Sequence, residues 1–305
     1  ITITYYICCM KRLLIILFFL PLILHSQSID YQKYDYSNID SKVRLVKYDG
    51  DFQKLVINLT SGLEYDHLKA RAFYTWIADN ISYDCKGLKG QKEIDYNPFD
   101  VLESGMTVCQ GYAELFQFFC EIIDIECRLV SGWTKTTKKD LRKINWNESD
   151  HAWNAIKINE KWEFLDVTWG SGYVRGNCSK YVKEFSDVYF LMKPEHMILE
   201  HYPEDPDWLL DLNISKSDFE NFPLFYRDYF EMNIYDLSQM NKKIKKNILG
   251  KARFSFKTLN SIKNVSSKKN ILFEVIDDEI NFKIRPKGKY FTLYINNRGV
   301  VTYLN

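Results

Sequence analysis

Apolar positions between Gly62 and Asn80, among them Tyr65, Leu68, Ala72, Phe73 and Trp76, recur at three- and four-residue steps. That period predicts a helix burying one face. It should end near Asn80, ahead of the β-like Ile81-Ser82-Tyr83. A loop through Asn97-Pro98 and Ser104-Gly105 then leads into a second periodic stretch. Here Tyr112, Leu115, Phe116, Phe119, Ile122 and Ile123 form a stripe, while Glu114, Gln117 and Glu121 are polar. Cys109 therefore sits at the mouth of a helix, with Thr107 as its cap and Gly111 giving a first turn free of side-chain bulk. The period then changes to two: Ile125, Cys127 and Leu129 alternate as in a strand ending at Gly132. Residues 134–150 are mostly polar and read as a surface excursion. Residues 151–158 and 161–169, rich in Trp, Ile, Phe, Val and Thr, read as a hairpin joined by Asn159-Glu160. Helices followed by strands predict an α+β domain.

Beyond about Pro203 the texture shifts. Pro203, Pro206 and Pro223 punctuate an irregular stretch, and short β-like runs follow at 252–257, 271–276, 280–284, 290–295 and 300–304. With turn signals at Pro286-Lys287-Gly288 and Asn296-Asn297-Arg298-Gly299, these predict a small β-sandwich. The length of 305 residues accommodates two domains, 27–205 and 206–305, after a leader at 1–26. That leader begins effectively at Met10-Lys11-Arg12 and continues as the apolar run Leu13 to Leu24, with Ser26 before Gln27. The pattern is that of a secretory signal, too short for a permanent span, so the expectation is a periplasmic or extracellular protein with no integral membrane segment after its removal.

Composition narrows the partners. With 46% apolar residues, 27% charged residues and a net charge of +1, the chain is neither disordered nor built mainly for nucleic acid. The run Lys242-Lys243-Ile244-Lys245-Lys246 reads as a solvated face. Outside the leader five cysteines remain, Cys85, Cys109, Cys120, Cys127 and Cys178, and an odd number leaves at least one thiol unpaired. Cys120 and Cys127 fall on core-like positions. Cys85 and Cys178 could form a disulfide, which spacing alone does not decide. His67 and His196 stand at no recognisable spacing from a partner and read as surface or satisfied residues. No Cys/His cluster or acidic loop has a ligand spacing, so neither a metal nor another cofactor is expected.

Cys109 is where chemistry is expected. A thiol becomes a good nucleophile as a thiolate, which a helix N-terminus and an imidazolium both favour. His151 can supply the imidazolium. In a hairpin with an even-numbered loop, strand positions whose numbers sum to an odd value share a face. A two-residue loop puts His151 opposite Thr168 and diagonal to Asp166, a four-residue loop puts the two directly opposite, and either way the ring and carboxylate project to the same side. Asp150 falls on the other face.

The segments Val108-Cys109-Gln110-Gly111-Tyr112-Ala113, His151-Ala152-Trp153-Asn154 and Asp166-Val167-Thr168-Trp169 resemble the core of the transglutaminase-like superfamily, relatives of the papain-type cysteine proteases. The resemblance covers roughly residues 60–175. It implies a papain-like core in which Cys109 is nucleophile, His151 general base and acid, and Asp166 the orienting acid. Tyr83 is similar in position to the aromatic oxyanion donor of that family. The stretches Tyr189-Phe190-Leu191, His201-Tyr202-Pro203-Glu204-Asp205 and Trp208-Leu209-Leu210 resemble the extension of kyphoscoliosis-peptidase-like members. Implied is a cysteine-dependent acyl transfer on protein or peptide amides, by hydrolysis or by transamidation. The competing expectation is a non-catalytic scaffold of the cell envelope.

Overall fold

Helices Ser37–Val43 (α1), Phe52–Thr60 (α2) and Asp66–Asn80 (α3) open the described part of the chain, residues 30–305 of a computed structural model. The expected export signal lies outside the described residues. Helix α3 is not one-faced: Ala70, Phe73, Tyr74, Trp76 and Ile77 are all essentially inaccessible. Apolar side chains at 70, 72, 73, 74, 76, 77 and 78 exceed any single stripe, so the helix is enclosed on all sides. Tyr65, expected on its buried face, precedes the helix and is exposed. Arg71, the cation that α3 itself buries, is held by Asp40 through Nε to Oδ1 at 2.8 Å and Nη2 to Oδ2 at 2.6 Å. His67, read as a surface or satisfied residue, is buried against the rings of Tyr31, Tyr34 and Tyr65.

Strand Ser82–Tyr83 (β1) runs into the short helix Cys85–Leu88 (α4). The expected loop around Asn97-Pro98 contains a helix, Pro98–Ser104 (α5). The Asn97 side chain accepts the Phe99 N–H at 2.9 Å, Pro98 takes the first helical position, and Gly105 closes the end at φ +65°. What looked like loop punctuation is a start and a stop. Strand Met106–Thr107 (β2) pairs in parallel with β1 and delivers the chain into helix Cys109–Ile122 (α6).

Strands Cys127–Thr134 (β3), His151–Ile158 (β4) and Lys161–Leu165 (β5) form an antiparallel meander. The β4–β5 turn is the two residues Asn159 and Glu160, both with positive φ. A short helix Val167–Ser171 (α7) and the hairpin Gly172–Arg175 (β6) with Lys180–Lys183 (β7) follow, before His201–Pro203 (β8) joins the free edge of β3 to give the order β5-β4-β3-β8. This sheet is buried on both faces. Ile156 and Ile158 of β4 pack towards the helices, and the alternate Trp153 and Ala155 pack towards the C-terminal strands. The excursion 135–149 is more than surface, because its Leu141 and Ile144 are buried.

Two further sheets make up the C-terminal part. One has the order β10-β11-β15-β14, the other β13-β12-β16-β17-β9. Their members are Leu224–Phe225 (β9), Ile234–Tyr235 (β10), Ala252–Thr258 (β11), Val265–Ser267 (β12), Lys269–Ile271 (β13), Phe273–Ile276 (β14), Glu279–Ile284 (β15), Tyr290–Ile295 (β16) and Arg298–Leu304 (β17). Between them Phe254 packs on Phe282, Phe291 and Tyr303 at ring distances of 5.3–5.5 Å. The architecture is α+β, a core of helices packed on one antiparallel sheet followed by a sandwich-like β region. Residues 31–305 cluster as one unit, and an apolar core shared by Trp153, Phe164 and Phe254 joins the central sheet to the sandwich. No helix among the described residues is long and apolar enough to cross a membrane.

Cys85 and Cys178, 93 positions apart in the chain, are joined by a disulfide with Cα atoms 5.2 Å apart. It ties the end of β1 to the β6–β7 turn. Closing so long a loop restricts the unfolded chain, and replacing both cysteines with serine should cost about 2–5 kcal/mol, read by urea unfolding without reductant. An unchanged midpoint would contradict this.

Candidate active site

Val108 precedes α6 with an extended backbone and makes no side-chain cap. The first N–H groups of the helix are therefore left without a side-chain partner beside Cys109, where the helix's partial positive charge is concentrated. Thr107, the expected cap, sits in β2 and donates its hydroxyl to the Asp95 carbonyl. Gly111 has the role its position suggested. A Cβ there would lie 2.0 Å from Thr107 Oγ1 and 3.0 Å from the Asp95 carbonyl.

The β4–β5 pairing ends at Asn154 opposite Leu165, so the second strand stops short of its expected end at 169. Asp166 turns the chain by capping α7, accepting the Trp169 N–H on Oδ1 at 3.0 Å. Its Oδ2 lies 2.7 Å from Nε2 of His151. The ring and carboxylate thus meet on one side, as the hairpin arithmetic required, although the carboxylate is on a helix cap and not on a strand. With Nε2 committed to Asp166, Nδ1 of His151 is the ring nitrogen left for the Cys109 thiol, with which the ring interacts. Asp150 points elsewhere and accepts the N–H and hydroxyl of Thr134 at 2.9 and 3.1 Å.

The electrostatics favour a charged pair. Burial pushes the Cys109 thiol up, but His151, by hydrogen bond and by charge, and the Ala152 backbone N–H outweigh it, and the net shift is downward. Burial works against a charged His151 too, yet the Asp166 carboxylate and the thiol raise it to about 10. Despite its burial, Asp166 is held below the usual carboxylate range by His151 first and then by a second histidine.

That second histidine is His201. Its Nε2 lies 3.1 Å from the same Oδ2, and its ring is 4.3 Å from Trp169. Both His201 and Asp166 are completely enclosed. Burial, aided by the charge of His151, brings His201 down to about 4, so at neutral pH it is an uncharged N–H donor. Next to it Glu200 is pushed up to about 8 by burial, with Tyr189 Oη at 3.3 Å, and is protonated. Sequence reading placed His201 only in the C-terminal extension. It arrives at Asp166 because β8 pairs with β3, setting His201 opposite Thr134 beside the strand that carries His151. The signal available was the three-residue run His201-Tyr202-Pro203, too short for a period. His201→Phe keeps a ring and removes the donor, and it should cost about 1.5–3 kcal/mol in denaturant unfolding. No loss of stability would mean the 3.1 Å contact is not a working hydrogen bond.

His151, Asp166 and His201 are also the set of possible metal ligands among the described residues, with their ligand atoms within 4.8 Å of one another. Contacts of 2.7 and 3.1 Å are hydrogen-bond lengths, and each is satisfied by a proton. Two ligand atoms sharing a tetrahedral zinc at about 2.0–2.1 Å would stand farther apart than 2.7 Å, so the arrangement does not fit a metal.

Tyr83 pairs with Thr107 across the β1–β2 ladder, two residues before Cys109, and its ring lies 6.4 Å from that of Tyr181. Burial and the Cys109 charge raise its hydroxyl above the ordinary phenol value, so it remains a donor. The disulfide anchors the backbone two residues beyond it.

Residues 53–167 match the family model for the transglutaminase-like superfamily. The chain is 32% identical over 199 residues to the human kyphoscoliosis peptidase, a stretch that is 65% of this chain and 30% of that protein. Hillarin of Drosophila melanogaster is 26% identical over 199 residues, covering 60% of this chain and 24% of its own. A solved structure described as a TGase covers 54% of this chain and 40% of its own at 18% identity, with a TM-score of 0.32. The chain thus spans about a third or less of the curated relatives it matches. Over residues 53–167 the chain matches the transglutaminase-like superfamily, and over 199 residues it is similar to the kyphoscoliosis peptidases.

Proposed function

We propose that the chain is an exported, cysteine-dependent enzyme that transfers the acyl group of protein or peptide amides, with Cys109, His151 and Asp166 as its catalytic residues. The observation that carries this reading is the buried 2.7 Å contact of His151 with Asp166 beside a partly buried thiol at an uncapped helix start. In the first step the Cys109 sulfur attacks the amide carbonyl carbon, and the tetrahedral oxyanion is held by the Cys109 N–H and the Tyr83 hydroxyl. His151 gives its proton to the leaving amine as the C–N bond breaks, leaving a thioester. Water, losing a proton to the now neutral His151, attacks the thioester carbonyl; the thiolate leaves and the imidazolium is restored. A primary amine in place of water gives transamidation. We favour hydrolysis, because the most extensive similarity reported above is to proteins named as peptidases. Export is supported by the Met10 to Leu24 pattern and by the Cys85–Cys178 disulfide, a bond that persists in oxidising compartments.

A library of peptides and peptide amides, screened for release of new amines (fragments with a new amino terminus, or ammonia) with and without an added primary amine, tests the reading. Release that disappears in Cys109→Ala supports it, and incorporation of the amine would move the assignment to transamidation. A Cys109→Ala protein that releases these amines as fast as the parent would end it in favour of a scaffold.

A further inference from the structure

Charge is distributed unevenly along this chain. After Asp236 the sequence holds 15 Lys and Arg against 4 Asp and Glu, a net of +11, so the residues up to Asp236 carry −10. All four acids fall within 274–279. Such asymmetry marks a surface meant for an anionic partner when the cations share a face, and here the fold collects them.

Ala252 pairs with Ile284, Phe273 with Phe282, and Tyr290 with Leu304, so the beginnings of β11, β14 and β16 and the ends of β15 and β17 lie at one end of the sandwich. The segment before β11 brings Lys245, Lys246 and Lys251 there, all exposed. The β12–β13 turn adds Lys268 and Lys269, and the β15–β16 connection adds Arg285, Lys287 and Lys289. Contacts join these segments. Arg285 Nη2 donates to the Leu249 carbonyl at 3.0 Å, Lys246 Nζ to Asn305 Oδ1 at 3.1 Å, and Asn305 Nδ2 to the Gly288 carbonyl at 2.6 Å. Lys268 Nζ stands 3.8 Å from where a Cβ on Gly288 would be. Among the described residues the ion pairs of the sandwich join Arg298 to Asp228 and Glu231, at the far end by the β16–β17 turn, and involve none of these cations. Asp277, Asp278 and Glu279 sit at the β14–β15 turn, at the other end.

Charge alone would suit any polyanion. What selects among them is apolar: Ile248, Leu249 and Leu272 project from this same end with exposures of 102%, 62% and 95%. Ile248 and Leu249 form the tip of a turn that is pinned from below. Asn247 Oδ1 accepts the N–H groups of Leu249 and Lys251 at 3.0 and 2.9 Å, and the Asn247 N–H reaches the Lys251 carbonyl at 2.8 Å. A rigid turn holding two aliphatic side chains in water, ringed by cations, pairs headgroup attraction with shallow insertion between acyl chains. A dissolved polyanion offers nothing to those side chains.

We propose that this end of the sandwich docks peripherally on a bilayer surface rich in anionic phospholipid. Lysines lie against the headgroups, and Ile248, Leu249 and Leu272 enter the interface. The proposal is independent of the catalytic reading.

Co-sedimentation of the full chain with phosphatidylcholine vesicles, alone or with about a third phosphatidylglycerol, tests it. Because the apolar run Leu13 to Leu24 would partition into either bilayer, the readout is the ratio of the two affinities. That ratio should be well above one at 0.1 M salt and fall towards one at 0.5 M. It should drop about tenfold or more in Lys287→Glu with Lys289→Glu, each near-surface cation being worth roughly a fivefold change. Ile248→Ser with Leu249→Ser, which leaves the charge unchanged, should weaken binding to the anionic vesicles several-fold, with the thermal transition preserved in both variants. A ratio of one for the parent overturns the proposal. So does full vesicle binding by the serine variant, especially if binding to soluble heparin is lost only on charge reversal, since that assigns the surface to a dissolved polyanion.

Discussion

Asp166→Ala is expected to lower stability by about 3–5 kcal/mol and turnover by about 10⁴. Three groups lose their partner at once: His151 Nε2, His201 Nε2 and the Trp169 N–H that starts α7. The two ring contacts are buried, and a buried charge stripped of its counter-charge is among the costlier defects a fold can carry. Urea unfolding at pH 7 gives the first quantity and steady-state amine release the second. Asp166→Asn should separate them. It keeps the shape and can still accept a hydrogen bond, so stability recovers in part, but it cannot balance an imidazolium and turnover stays low. Wild-type stability with Asp166→Ala would mean these contacts contribute nothing.

The same cluster fixes how stability depends on pH. Asp166 titrates lower in the fold than in the unfolded chain, so its contribution is present above about pH 3.9 and is lost as pH falls through its lowered value. His201 is held neutral, down to about 4, so the unfolded state takes up the proton first and stability declines as pH falls from about 6.5 towards 4. His151 behaves oppositely. Its value near 10 makes its contribution complete below about 6.5 and lost as pH rises towards 10. Unfolding midpoints should therefore fall on both sides of a maximum near pH 6–7, and His201→Phe should flatten the acid side alone.

His151→Ala is the second large effect, with turnover down by about 10⁴ or more while the fold survives. Asp166 would keep two of its three donors, His201 and the Trp169 N–H, so the stability loss should be clearly smaller than for Asp166→Ala. Cys109, however, would lose the neighbour that outweighs its burial, and the thiol would then rise above its ordinary value. Turnover lost together with most of the stability would point to a structural histidine.

How much of this was legible in the sequence depended on how far each feature reaches. Cys109, His151 and Asp166 were legible because a thiol, an imidazole and a carboxylate in that order carry their own chemical signature, and the hairpin's period of two put the last two on one side. The turn residues Asn159 and Glu160 were legible for the same local reason. Helix α3 was found, but its enclosure was not, since one periodic stripe hides the apolar residues between its members. Helix α5 was mistaken for a loop because Asn-Pro and Ser-Gly mark helix ends and turns alike. His201 was missed as part of the site because nothing local ties it to Asp166, 35 positions earlier; only the pairing of β8 with β3 does. The longer C-terminal strands were read within a residue or two. Strands β9, β10 and β12, of two or three residues, offer no alternation to read.

The proposed function requires the Cys109 sulfur to carry its negative charge beside a protonated His151. The rate of Cys109 alkylation by limiting iodoacetamide from pH 4 to 10, in the parent and in His151→Ala with the disulfide intact, measures it directly. The parent rate should rise with its centre well below the ordinary thiol value of about 8.5, and the variant's rise should be displaced above it. Coincident profiles, both centred near the ordinary value, would contradict the proposed function.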